Sequence, residues 1–184
     1  MDRFCIITNQ EKDNNLNLTE QIIAYLKSFG KECYVVDHLL DEYENYYTNS
    51  SDIPNGTECA IVLGGDGTII QAANDLVSRK IPILGINLGT LGFLAETEKH
   101  NAFQALDCLC RDDYRIELRQ MLSGAITNEF QSVCYRGLAL NDIVITRAGF
   151  SRIITVEVYV NEELFTSYRG DGVIISTPTG STGY

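Results

Sequence analysis

Basic residues are scarce in this sequence: 14 lysines and arginines face 25 aspartates and glutamates over 184 residues, a formal net charge of -11. DNA or RNA needs a basic stripe to neutralise its phosphates, so nucleic acid is excluded as the main partner. The same acidity discourages contact with anionic membranes. One small polyanion stays allowed, because a few backbone N–H groups and two or three arginines can hold it. No run approaches the roughly 20 apolar residues that span a bilayer. The start, MDRFCIITN, has no cationic stretch leading into an apolar one, so no secretory signal is expected. The cysteines at 5, 33, 59, 108, 110 and 134 form no CxxC pair and no zinc-like cluster. Cys5, Cys33 and Cys59 sit in apolar runs as small hydrophobes, and reduced core thiols suit a cytoplasmic protein. No GxGxxG follows the first apolar run, which counts against a Rossmann dehydrogenase, and no Walker A sequence occurs. Internal repeats and low-complexity tracts are also missing.

What is present is enough for a packed core: 45% apolar residues, in a length that suits one domain or two small ones. Residues 3–8 (RFCIIT) read as a buried strand. Leu18, Ile22, Leu26 and Phe29 then share one helical face, with Asn17 or Thr19 available as cap and Gly30 as stop. Residues 33–36 return as a strand, giving a βαβ unit and a parallel sheet. Residues 37–58 are polar and tyrosine-rich, with a turn at Pro54-Asn55-Gly56, and are expected to be mobile. A third strand, 59–63, ends in Gly64-Gly65-Asp66-Gly67-Thr68. The next helix carries Ile69, Ile70, Ala73, Leu76 and Val77 as its apolar stripe. A fourth strand, 83–86, ends in Asn87-Leu88-Gly89-Thr90-Leu91-Gly92-Phe93.

After a short helix with Phe103, Leu106 and Leu109, alternation at period two takes over. Ile116/Leu118, Ile143/Ile145 and Val156/Val158/Val160 mark strands, and Asn161-Glu162-Glu163 marks a hairpin turn. The expected fold class is an α/β nucleotide-binding domain with a parallel sheet over residues 1–98. A mostly antiparallel β domain follows over 99–184.

Three segments carry candidate chemistry. GGDGT at 64–68 is a glycine bend between a strand and a helix, where bare backbone can approach a ligand and N–H groups face outward. A carboxylate there repels phosphate but can orient a sugar hydroxyl and take its proton as phosphorus is attacked. An ordinary turn residue is the plain alternative for Asp66. The second segment, 170–184 (GDGVIISTPTGSTGY), feeds a buried strand into a run of hydroxyls and glycines suited to ribose and phosphate oxygens, or to a surface loop. The third, Asn141-Asp142, offers donors and acceptors to an adenine edge or ribose, or forms a β-edge turn. Arg152 and Arg169 could each meet a pyrophosphate, or be solvated surface groups.

Taken together, GGDGT at 64–68, NLGTLGF at 87–93, LNDIVITR at 140–147 and GDGVIISTPTGSTGY at 170–184 resemble the NAD kinase family in order and approximate spacing. Residues 37–58 and 123–136 show little of the likeness. The resemblance implies phosphorylation of the adenosine 2′-hydroxyl of NAD by ATP, at a site between an α/β domain and a β-rich one. It implies that Asp66 engages the 2′-hydroxyl with Gly67 beside it, and that Phe93 lines the nucleotide pocket. It assigns NAD contacts to Asn141, Asp142, Arg152, Arg169 and Asp171, with Thr182, Gly183 and Tyr184 framing the adenosine end. Arginine at 169 goes with preference for oxidised NAD. Mg2+ is expected with ATP on phosphate oxygens rather than in a protein cage. Dimers or tetramers are implied as well.

Aspartate at 142 stands where glutamate is frequent, GSTGY where GSTAY is commoner, and Gln71 where a basic residue is common. The likeness also implies a further segment after Tyr184 that completes the β domain. Two other readings remain: a lipid kinase of the diacylglycerol or sphingoid type, which shares GGDGT, and an NAD-binding but inactive module.

Overall fold

The structure is a computed structural model that describes residues 1–36, 50–89, 92–95, 97–149 and 153–182. Most of the stretch expected to be mobile (residues 37–49), and Arg152, Gly183 and Tyr184, lie outside the described residues. The chain forms two compact units, Met1–Glu117 and Leu118–Tyr184.

The first unit is built on a parallel sheet of β1 (Arg3–Thr8), β2 (Glu32–Val35), β3 (Cys59–Gly64), β4 (Ile83–Asn87) and the short β5 (Thr97–Glu98). Their order across the sheet is β2-β1-β3-β4-β5 and every pairing is parallel. Apolar residues run without a break over Phe4–Ile7 of β1 and Cys59–Leu63 of β3, as expected of strands buried on both faces. Alternate side chains enter two cores. Phe4, Ile6, Ile61 and Leu63 meet α1 (Asn17–Ser28) and α3 (Ala102–Cys110) on one face. Cys5, Ile7, Ala60 and Val62 meet α2 (Asp66–Leu76) on the other.

Several details depart from expectation. The α1 start is held neither by Asn17 nor by Thr19 but by Asp13, which is 2% exposed. Its carboxylate accepts the Leu18 and Thr19 N–H groups, each at 2.9 Å, and the Thr19 hydroxyl at 2.6 Å. A charge can be buried there because three donors satisfy it beside the positive end of the helix. Gly30 does close the helix, with φ of 71°. Phe29 falls off the buried face and lies exposed against Tyr25, ring centres 5.2 Å apart. In α2 the buried stripe is Thr68, Ile69, Ala72 and Leu76, so Ala73 and Val77 turn outward from it. Helix α3 contributes Ala102, Leu106 and Leu109 to the core shared with α1, which carries the unit to Glu117, past the expected boundary at residue 98. Ile116 and Leu118 belong to no strand and are exposed.

The second unit consists of three antiparallel two-stranded ladders. One joins β6 (Leu122–Thr127) to β7 (Val133–Ala139), and another β8 (Asp142–Thr146) to β11 (Gly172–Ser176). The third is the hairpin of β9 (Ile154–Val160) and β10 (Glu163–Gly170). Its turn is Asn161-Glu162, both with positive φ (50° and 69°), the primed geometry that suits strand twist. Glu163 already belongs to the strand. Among the described residues of this unit only Leu140, Thr177 and Gly180 are buried. The stretch 173–175, expected to be a buried strand, is paired with β8 yet leaves Ile174 and Ile175 about half exposed.

Candidate active site

In the first unit the chain leaves β3 at Gly64, passes the extended Gly65 and enters α2 at Asp66. Each glycine has its own reason. The Thr68 side chain folds over Gly64 and leaves no room for a Cβ, whereas Gly67 faces open space at the first turn of α2. The Gly64 carbonyl accepts Leu88 N–H at 2.9 Å, so the bends after β3 and β4 are tied together. Asn87 fixes the second bend by accepting Gly89 N–H at 2.8 Å.

Asp66 bridges these bends. One carboxylate oxygen accepts the Phe93 N–H at 2.8 Å and the other the Leu94 N–H at 3.2 Å. Gly92 lies so close that a Cβ there would fall inside the carboxylate. A carboxylate offers about four acceptor positions, so two backbone donors orient it and leave capacity for a hydroxyl proton. Phe93 is 75% exposed, an open aromatic face next to the carboxylate's anchor. Beyond Gly89 opens a cavity of about 580 Å³, lined by Leu18, Asn87, Leu88, His100 and Phe103 among others. It lies outside the carboxyl ends of parallel strands, where ligands of open α/β sheets bind.

In the second unit a separate constellation surrounds Asn141. Thr177 donates its N–H to the Asn141 carbonyl at 2.8 Å and its hydroxyl to the Leu140 carbonyl at 2.6 Å, and accepts Gly180 N–H at 3.2 Å. Gly180 rests directly on the Asn141 backbone, where a Cβ would collide. The STPTGS run is therefore folded onto Asn141-Asp142, and Asp142 pairs with Ser176 across the β8–β11 ladder. Asn141 Oδ1 is buried with no hydrogen-bond partner among the described residues, an acceptor held ready without a donor. Arg147 Nε pairs with Asp171 at 3.0 Å, and Asp171 takes Arg147 N–H on its carbonyl at the same distance. Arg169 lies opposite Thr155 in the β9–β10 hairpin, and Thr182 is exposed beyond the folded run.

The structure thus brings Asp66, Gly67 and Phe93 together in one unit. In the other it gathers Asn141 and Asp142 with the loop leading to Thr182, and sets Asp171 against Arg147. Sequence reasoning missed Gly92, Asp13 and the Arg147–Asp171 pair. Two of these need distances between bends far apart in the chain, and only the NLGTLGF glycines gave a hint.

Comparison with known proteins decides what these two constellations belong to. Residues 4–114 match the sequence model of the ATP-NAD kinase N-terminal domain, and residues 140–184 that of the ATP-NAD kinase C-terminal domain. The chain belongs to the ATP-NAD kinase family. The NAD kinase of Lachnoclostridium phytofermentans is 54% identical over 100% of this chain, which covers 64% of that protein. That of Lachnospira eligens is 44% identical over 100% of this chain, covering 63% of its own length. The chain therefore spans a little under two thirds of these relatives. Yeast NADH kinase, solved with NADH, shares the fold at a TM-score of 0.85 and 22% identity, over 100% of this chain and 60% of that one. The family assignment fits a parallel α/β unit followed by antiparallel ladders.

Proposed function

We propose that this chain carries the NAD kinase reaction: Asp66 accepts the proton of the adenosine 2′-hydroxyl of NAD while that oxygen attacks the γ-phosphorus of ATP. The bond between the γ-phosphorus and the β–γ bridging oxygen breaks as the new one forms, that oxygen stays with the β-phosphate, and NADP and ADP leave. The observation that carries this reading is the Asp66 carboxylate, clamped by two backbone N–H groups at a glycine bend with acceptor capacity to spare. Fixed orientation serves an in-line transfer, where positioning supplies most of the rate. The bare N–H groups around Gly67 suit phosphate, and Asn141, Asp142, Arg169, Asp171 and Thr182 suit the dinucleotide, the orphaned Asn141 Oδ1 facing a donor such as an adenine amino group. Arg152, Gly183 and Tyr184 complete that set by resemblance.

Mg2+ belongs to this scheme as part of the substrate, MgATP. Its ligands in this reading are phosphate oxygens, as hard oxygen donors suit it. A cytoplasmic location agrees with six free cysteines, and no helix among the described residues is long and apolar enough to cross a membrane. Assembly into dimers or tetramers agrees with the exposed apolar faces of the second unit. A lipid acceptor is disfavoured by the match of residues 140–184 to the family's C-terminal domain.

The test is incubation with NAD, ATP and Mg2+, read as NADP, beside Asp66→Asn. NADP that vanishes in the variant supports the kinase. NAD binding without NADP supports a binding module, and a phosphorylated lipid overturns the reading.

A further inference from the structure

We propose that Lys12 is a donor-binding residue that holds the phosphate chain of the nucleoside triphosphate against the two glycine bends. The proposal rests on the reading of Asp66 and its surroundings as a phosphoryl-transfer site. Its starting point is topology. The sheet order β2-β1-β3 reverses direction at β1, so the connections after β1 and β3 diverge to opposite faces and leave a crevice outside their carboxyl ends. Lys12 stands on the loop after β1, Gly65 after β3 and Gly89 after β4.

The ammonium reaches that crevice. A Cβ built on Gly65 would lie 3.0 Å from Lys12 Nζ, and one built on Gly89 would lie 3.6 Å from it. One cation therefore sits against bare backbone from two separate strands, beside the first turn of α2. The loop beneath it is held firmly. Asn9, 5% exposed, donates its N–H to the Leu63 carbonyl at 2.8 Å, and its side-chain and main-chain oxygens accept Lys12 N–H at 3.2 and 3.0 Å. On the other side the next residue is Asp13, locked onto α1. Thr8, the last residue of β1 and 7% exposed, leaves its hydroxyl without a hydrogen-bond partner at the same end of the sheet.

Charge sharpens the point. In a chain with 25 carboxylate side chains, Lys12 has no carboxylate within ion-pair distance among the described residues, whereas Arg3, Lys31, Arg111 and Arg147 each have one. Lys27, Lys80 and Lys99 share that lack among the described residues, so what distinguishes Lys12 is where its ammonium lies. It is directed at glycines whose N–H groups favour the same anion that it does. An ammonium with three donors fits terminal phosphate oxygens, where a loop must follow a flexible chain.

Calorimetry on this chain with MgATP, inorganic tripolyphosphate, adenosine and NAD, repeated for Lys12→Met and Lys12→Arg, tests the assignment. Lys12→Met is expected to weaken MgATP and tripolyphosphate by about 10- to 100-fold, as for loss of a charge-assisted hydrogen bond. Affinity for adenosine and NAD stays within about twofold, Lys12→Arg recovers most of the loss, and the melting temperature is unchanged. Equal losses for adenosine and MgATP, an unchanged affinity for MgATP, or no MgATP binding by the parent chain would each overturn the assignment. Lys12-dependent MgATP binding without NADP formation defeats the proposed reaction but upholds Lys12. NADP formation with a parental KM for ATP in Lys12→Met does the reverse.

Discussion

The two units solve the problem of burying a sheet in opposite ways. In the first, five parallel strands are covered on both faces, and residues such as Ile6, Ile61 and Leu106 are removed from water altogether. In the second, three two-stranded ladders leave Phe130, Phe165, Tyr135, Ile174 and others exposed, and burial among the described residues is confined to the junction of Leu140, Thr177 and Gly180. A lone two-stranded ladder is marginal in water, so the second unit draws less stability from burial than the first. The lesson concerns the division of labour. The carboxylate proposed to take the proton stands on the self-sufficient unit, and the residues proposed to embrace a dinucleotide stand on the one with little core of its own.

Substitutions can break or sharpen that contrast. The largest effect is expected from Asp66→Asn, which should lower kcat for NADP formation by about 10²- to 10⁴-fold, with a fall of a few degrees in melting temperature because one of the two backbone N–H groups then faces an amide NH2. Next comes Leu106→Ala, at the meeting point of α1, α3 and the sheet, with a loss of about 3 kcal/mol in urea unfolding. Asp13→Ala should cost about 2 kcal/mol by the same measurement, because it strips three donors of their buried acceptor.

A smaller effect is expected in alkali. Burial pushes the Cys5 and Cys59 thiols up to about 12 and Cys33 to about 11, so the folded chain keeps protons that the unfolded chain releases above pH 9. Stability from these groups is complete below pH 9 and falls as pH rises toward 12, readable as a falling urea midpoint; Cys134, exposed in the second unit, should meanwhile react with a thiol reagent in the folded state. The smallest change is expected from Ile174→Ser, within about 0.5 kcal/mol. A loss above 2 kcal/mol there would show that the second unit's faces are covered in solution and would erase the contrast.

Most of the first unit was legible because its signals are local. An unbroken apolar strand, a helical stripe and a glycine stop each lie within a dozen residues, and β1, α1, β3 and β4 fall close to where periodicity put them. The α2 stripe slipped because Thr68 buries its side chain over Gly64, an exchange that no hydrophobicity pattern announces. The second unit was less legible. Alternation located β8 and β9 but also suggested a strand at Ile116/Leu118, which pair with no strand among the described residues. At the site, residue types and order pointed to Asp66 and Asn141, while the contacts that fix them come from Phe93, Leu94 and Thr177, which are 27, 28 and 36 positions away. Such distances are set by tertiary folding, and they leave no periodic trace.

Gly92 carries a further consequence. Its missing side chain is the space that the Asp66 carboxylate fills, so a single methyl group at position 92 would displace that carboxylate while leaving the side chains of the proposed site chemically intact. Evolution or an engineer could silence this centre without touching aspartate, lysine or any hydroxyl.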